Sequence, residues 1–147
     1  IDSSIIIKDE LGNNISIKKL IGNKNKIVFR YTELNCMACV DQEIKNINQH
    51  LNTNLKDNHI IVLATYNSFA NLRNFKITNK IDIKFYNIDN NTLKSDLAKK
   101  PYYFIIDNKL RITHLYSPAI TSAKDNANYL HILESKLLDS TANQDPN

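Results

Sequence analysis

Lys26-Ile27-Val28-Phe29-Arg30-Tyr31-Thr32-Glu33-Leu34-Asn35-Cys36-Met37-Ala38-Cys39-Val40 is the stretch on which the fold turns. Residues 26–31 make a compact apolar run of the kind expected of a central strand. Beyond Cys39 the apolar residues Val40, Ile44, Ile47 and Leu51 keep the spacing that lays one stripe along a helix facing a sheet. The segment therefore predicts a buried strand that delivers Cys36 to a helix N-terminus, with Cys39 one turn on.

That placement matters because the thiolate is the nucleophile in disulfide exchange. The free N–H groups and positive dipole end of a helix favour a thiolate at Cys36, while an inward-facing Cys39 can resolve a mixed disulfide. Zinc half-site and ordinary core cysteines are the competing readings of Cys-x-x-Cys. A structural zinc needs two more ligands, and His50, His59, His114 and His131 never fall in the close pair used by zinc fingers. The strand-to-helix junction weights the choice toward redox chemistry.

Outward from this stretch, strand and helix signals alternate. Residues 5–7 and 15–17, separated by Leu11-Gly12-Asn13-Asn14, read as an N-terminal β-hairpin. Residues 59–64 read as a second buried strand, and Asn67-Ser68 offers N-caps for a helix carrying Phe69, Leu72 and Phe75. Residues 83–88 suggest a short edge strand or crossover piece, and 92–98 a helical turn that Pro101 ends. Residues 102–106 and 110–116, joined by Asp107-Asn108-Lys109, read as another hairpin. Ala123, Ala127, Leu130, Leu133 and Leu137 carry helical spacing. No repeat or long linker divides the chain, so 1–138 is expected to be one domain and the polar stretch 139–147 a disordered tail.

The totals agree with this picture. A chain of 147 residues, 42% apolar and 23% charged, can build a core without disulfide staples or metal. Its two cysteines are too few and too close for the framework of a small secreted scaffold. The net charge of +4 comes from scattered lysines, with no basic block interleaved with aromatics, which argues against nucleic acid as a partner. No apolar run is long enough to span a membrane. A chain beginning at Ile1 fits either a mature protein whose export signal has been removed or one trimmed for expression.

Taken together, the hairpin with Leu11-Gly12-Asn13-Asn14-Ile15-Ser16-Ile17, the strand 27–31, Cys36-Met37-Ala38-Cys39, and Pro101-Tyr102-Tyr103-Phe104-Ile105-Ile106-Asp107 with Leu110-Arg111-Ile112 resemble the thioredoxin superfamily. Within it they are similar to the TlpA/ResA-like extracytoplasmic thiol-disulfide oxidoreductases, and the run from Phe29 to Cys36 resembles thioredoxin-like proteins of Bacteroidetes. The resemblance implies an α/β thioredoxin-like fold: a central mixed sheet flanked by helices, extended by the N-terminal hairpin. It implies Cys36 and Cys39 as the catalytic pair and no metal or cofactor. Pro101 would be the family's cis-proline facing the cysteines, and Lys100 would supply a backbone contact to an extended substrate. A trans proline starting an edge strand is the alternative. Asn35 and Met37, on either side of Cys36, complete the expected substrate contacts. The implied role is a monomeric reductant of disulfides in exported proteins or cytochrome-maturation substrates. It would be served by a redox partner protein and placed in the periplasm or on the outer membrane.

Several positions depart from the family pattern. Asn35 replaces the usual aromatic residue, and no proline lies between the cysteines. Arg30 stands where thioredoxins often bury an acid, and Gln42 where an acid is common after the second cysteine. Glu33 and Glu43 are the nearest carboxylates and so the candidates for moving the Cys39 proton; the plainer reading makes Glu43 a solvated helix residue and Glu33 a loop residue. Arg30 either points at the sulfurs and tunes Cys36 or points away as a snorkelling strand residue. Tyr31, Tyr102 and Tyr103 either line a peptide groove or pack in the sheet. Lys99 and Lys100 either draw acidic partners or are solvated. Two rival functions remain: a binding module with vestigial cysteines, and soft-metal handling in which Cys36, Cys39 and His114 hold copper. A peroxidase is disfavoured because the proline–threonine–cysteine context is missing at Cys36.

Overall fold

The alternating pattern resolves into β1 (Ile6–Lys8), β2 (Asn14–Ser16), α1 (Ile17–Ile21), β3 (Lys26–Thr32), α2 (Met37–His50), β4 (Ile60–Thr65), α3 (Phe69–Thr78), β5 (Phe85–Asn87), β6 (Tyr102–Ile106), β7 (Ile112–Tyr116) and α4 (Ala123–Ala142). These come from a computed structural model that describes residues 1–51, 58–89, 92, 93, 96, 100–118 and 123–142. Polar side chains start the short elements. Ser16 Oγ accepts the Lys19 N–H at the head of α1, and Ser68 Oγ accepts the Ala70 N–H at the head of α3, each at 3.2 Å.

All seven strands join one mixed sheet in the order β2-β1-β5-β4-β3-β6-β7. The parallel pairs β3–β4 and β4–β5 form its middle, and antiparallel pairs complete both sides. Because both faces are covered, β3 reads as a nearly continuous apolar run rather than an alternating one. Ile27, Phe29 and Tyr31 turn to one face, where Val40, Ile44 and Ile47 of α2 and Leu130, Leu133 and Leu137 of α4 pack on them. Val28 turns to the other, against Ile7, Ile17, Ile21, Leu63 and Phe104.

The expected hairpin at 102–116 forms. Its turn is held by Asp107, whose Oδ1 accepts the N–H groups of Lys109 and Arg111 at 2.9 Å each. The register of β6 against β7 shifts between Tyr103 and Ile105, and His114, in the middle of β7, has a left-handed φ of 54°. β7 is an outer strand of the sheet.

Three expectations are corrected. Residues 85–87 are not at the edge: β1 pairs antiparallel with β5 through Lys8 and Asn87, so β5 is interior and the edge passes to β2. The C-terminal helix runs to Ala142 rather than giving way to a tail at 139, and 143–147 lie outside the described residues. Pro101 is not cis; no cis peptide bond occurs among the described residues. The trans form is the ground state of an X–Pro bond, and here the Pro101 carbonyl accepts the Ser117 hydroxyl at 2.9 Å just before β6 begins. Much of the expected helical turn at 92–98, and Lys99, lie outside the described residues.

Candidate functional site

β3 ends at Thr32, and a tight turn carries the chain into α2. Asn35 closes that turn twice: its N–H donates to the Thr32 carbonyl at 2.9 Å and its Oδ1 accepts the Thr32 N–H at 2.8 Å. Glu33 ties it to the neighbouring strand end, its N–H donating to the Thr65 carbonyl at 2.9 Å and its Oε1 accepting the Asn67 N–H at 3.0 Å. Asn35 is thus a buried structural residue of the turn.

Cys36 is the N-cap of α2, and its carbonyl accepts the N–H groups of Cys39 and Val40 at 3.0 and 3.1 Å. Its side chain makes no capping bond and is joined to Cys39 as a disulfide, the Cα atoms 5.3 Å apart. Cys36 is exposed and Cys39 half-buried. The pair therefore stands in the oxidised state of a dithiol, with one cysteine exposed and the other set back. On reduction, a Cys36 thiolate sits where the first N–H groups of a helix have no intrahelical acceptor, and no acid in the first turn of α2 opposes it.

Arg30 does not reach this site. Strand alternation turns it to the Val28 face, away from α2, where it is fully buried. Its Nε and Nη2 bind the two Asp96 oxygens at 2.9 Å each, and Nη2 also donates to Thr65 Oγ1 at 2.8 Å. The Tyr102 hydroxyl donates to Asp96 Oδ1 at 2.8 Å. Arg30 is neither a sulfur-facing cation nor a snorkelling one; it is half of an internal ion pair.

Glu43 corrects the solvated reading, since it is 2% exposed. It lies one helical turn after Cys39, on the same side of α2. Tyr103 donates to its Oε2 at 2.9 Å, and Asn126 and Asn46 donate to its Oε1 at 2.9 and 3.2 Å. Burial pushes its carboxyl above the ordinary 4.5, and the three donors offset this in part. The same burial, with Glu43 beside it, pushes the Tyr103 hydroxyl well above its ordinary value. From Asn126 the network passes outward, its Oδ1 accepting the Tyr116 hydroxyl at 2.7 Å.

The remaining candidates are distributed as follows. Met37 is half-buried and packs on the core edge. Lys100 is exposed and Pro101 buried. Continuing the register of Arg30 opposite Tyr102 brings Pro101 and Lys100 to the sheet end from which the chain leaves for the cysteines. Tyr31, Tyr102 and Tyr103 are buried in the sheet rather than lining a groove. His114, on β7, joins no cluster of three or more metal-ligating side chains with the cysteines among the described residues.

The sequence reading did not include Tyr103, Asn126 and Asp96 as partners of the charged groups. Asn126 had a signal, since 126, 130, 133 and 137 share one helical stripe and all are buried. A charged residue in a central strand demands a counter-charge, but nothing local in the sequence identifies Asp96.

No family model matches the chain, and no curated protein does. Solved structures do. A thioredoxin-like protein of Porphyromonas gingivalis superposes with a TM-score of 0.66 at 15% identity, covering 92% of this chain and 91% of that one. The thioredoxin domain of a thiol-disulfide oxidoreductase of Bacteroides vulgatus gives 0.61 at 14% identity, over 93% and 98%. A secreted disulfide oxidoreductase of Mycobacterium tuberculosis gives 0.58 at 8%, over 86% and 94%. The fold is thioredoxin-like.

Proposed function

From a thioredoxin-like fold with an exposed cysteine bonded to a recessed one at a helix start, we propose that this protein is a dithiol/disulfide oxidoreductase. The observation that carries this reading is the asymmetry of the pair: Cys36 exposed at the N-cap of α2, Cys39 half-buried behind it.

In the reduced state the Cys36 thiolate attacks one sulfur of a partner disulfide. A Cys36–partner bond forms, and the partner's other sulfur leaves as a thiolate and takes up a proton. Deprotonated Cys39 then attacks the Cys36 sulfur, closing the Cys36–Cys39 disulfide and expelling the second partner thiolate. The partner gains two electrons and two protons, and a dithiol reductant, the redox partner protein, returns the pair to its reduced state. Glu43, one turn from Cys39 and rich in donors, takes the Cys39 proton directly or through a water. Glu33, its Oε1 engaged by the Asn67 N–H, holds the turn instead. Met37, Lys100 and Pro101 frame the substrate chain, and Asn35 acts from beneath by holding the turn.

The direction of transfer is reduction, with polypeptides exported from the cytoplasm as substrates, and the protein works in the periplasm or at the outer membrane. The secreted Mycobacterium tuberculosis oxidoreductase supports that location. Insulin reduction with a dithiol reductant tests the mechanism. Cys36→Ser is expected to abolish turnover, and Cys39→Ser to accumulate mixed disulfides visible by intact mass. A wild-type pair that fails to equilibrate with glutathione buffers overturns the reading in favour of a binding module.

A further inference from the structure

Leu34 is 81% exposed, the most exposed of the large apolar side chains among the described residues. Leu11 is nearly as exposed, at the tip of the N-terminal hairpin, where a solvated leucine needs no explanation. Leu34 differs in what holds it and in what lies next to it.

The turn that carries Leu34 is fastened at both neighbours. Asn35 is bound to Thr32 through backbone and side chain, and Glu33 is bound to Thr65 and Asn67. Asn35 is buried at 9% exposure, while Leu34 and Cys36, on either side of it, are both exposed. Ala38, the next exposed residue, adds a methyl group rather than a charge. Residues 34–40 carry no ionisable group besides the cysteines. The outcome is a preorganised stretch, uncharged from Leu34 to Val40, beside the reactive sulfur, with an isobutyl group as its prominent contact.

What covers that stretch follows from the chemistry beside it. A sulfur attacking or attacked by Cys36 must come to S–S bonding distance, about 2.05 Å. At roughly 3.3 Å per residue, the residues flanking the partner's cysteine then fall across the neighbouring surface, where Leu34 stands. A fixed leucine at that place gains by contact with an apolar side chain and loses by desolvating a charged one.

Resting on the oxidoreductase reading, we propose that Leu34 is a specificity contact that selects polypeptide disulfides whose cysteine is flanked by an apolar residue. The test uses two synthetic peptides that share one disulfide, flanked by Leu in the first and Asp in the second. The wild-type protein, reduced, is expected to reduce the Leu-flanked peptide faster by on the order of tenfold, equivalent to about 1.4 kcal/mol. Leu34→Met should keep this preference and Leu34→Ser erase it, while Leu34→Lys should invert it toward the Asp-flanked peptide. A wild type that reduces both peptides at equal rates, or a preference that survives Leu34→Ser, overturns the inference alone. A wild type inert toward both peptides and toward glutathione disulfide overturns the oxidoreductase reading, and this inference with it.

Discussion

Glu43 gathers three hydrogen-bond donors about its carboxyl group, and none of them is a cation. Hydrogen bonds favour the charged form, burial disfavours it, and here burial prevails, so the folded protein holds this proton above the ordinary 4.5. A raised carboxyl value means that the folded chain binds the proton more tightly than the unfolded one. The stability so gained is complete below the unfolded value and is lost as pH rises through the folded one. The urea-unfolding midpoint of the wild type should therefore decline with pH upward from about 4.5, and Glu43→Gln should flatten that decline. The amide can still accept from Asn126 and Asn46 on one atom and meet the Tyr103 oxygen with the other, so the fold is kept. If Glu43 also receives the Cys39 proton, the same variant alters the pH profile of insulin reduction; identical profiles would remove it from the proton path. None of this was readable from a stripe of apolar residues at 40, 44, 47 and 51, because counting apolar positions passes over a polar residue on the same face. Position 43 lies three after Val40 and four before Ile47, and there the information lay.

Between elements, the Arg30–Asp96 pair links the central strand to the segment leading into β6. Both side chains are buried, 0% and 1% exposed, so removing one partner strands a charge away from water. Asp96→Ala is expected to cost about 3–5 kcal/mol in chemical denaturation. Replacing both residues with apolar ones of similar volume should recover most of that loss; a mild effect of Asp96→Ala would show that water reaches the guanidinium. The strand β3, the helix α2 and the hairpin β6–β7 were legible because each is specified by its own local pattern: a continuous apolar run, a helical stripe, and a turn centred on Asp107. The direction of Arg30 was not, since an arginine in a strand covered on both faces offers no clue to its side until the register is known. The isomer at Pro101 was likewise invisible, because an X–Pro bond is open to either form and the residues flanking this one do not choose between them.

For the molecule as a whole, the N-terminal hairpin is part of the sheet rather than an appendage. Ile7 is fully buried among Ile17, Ile21 and Ile61, in the layer opposite the active helix. Ile7→Ala should thus cost about 2–5 kcal/mol, lowering the midpoint of both secondary-structure and tertiary-fluorescence transitions together. Separate transitions would instead show a hairpin that unfolds on its own. The strand-helix alternation made the architecture legible, but the order of strands was not: β5 is three residues long, and its interior place comes from pairing with a strand almost eighty positions earlier. Such distant pairing leaves little local trace.

The shifted register and the left-handed His114 give the outer strand β7 an uneven rim. A foreign strand zipping along it would find its row of amides and carbonyls broken midway. On that flank the molecule is thereby guarded against zipping, edge to edge, onto another chain.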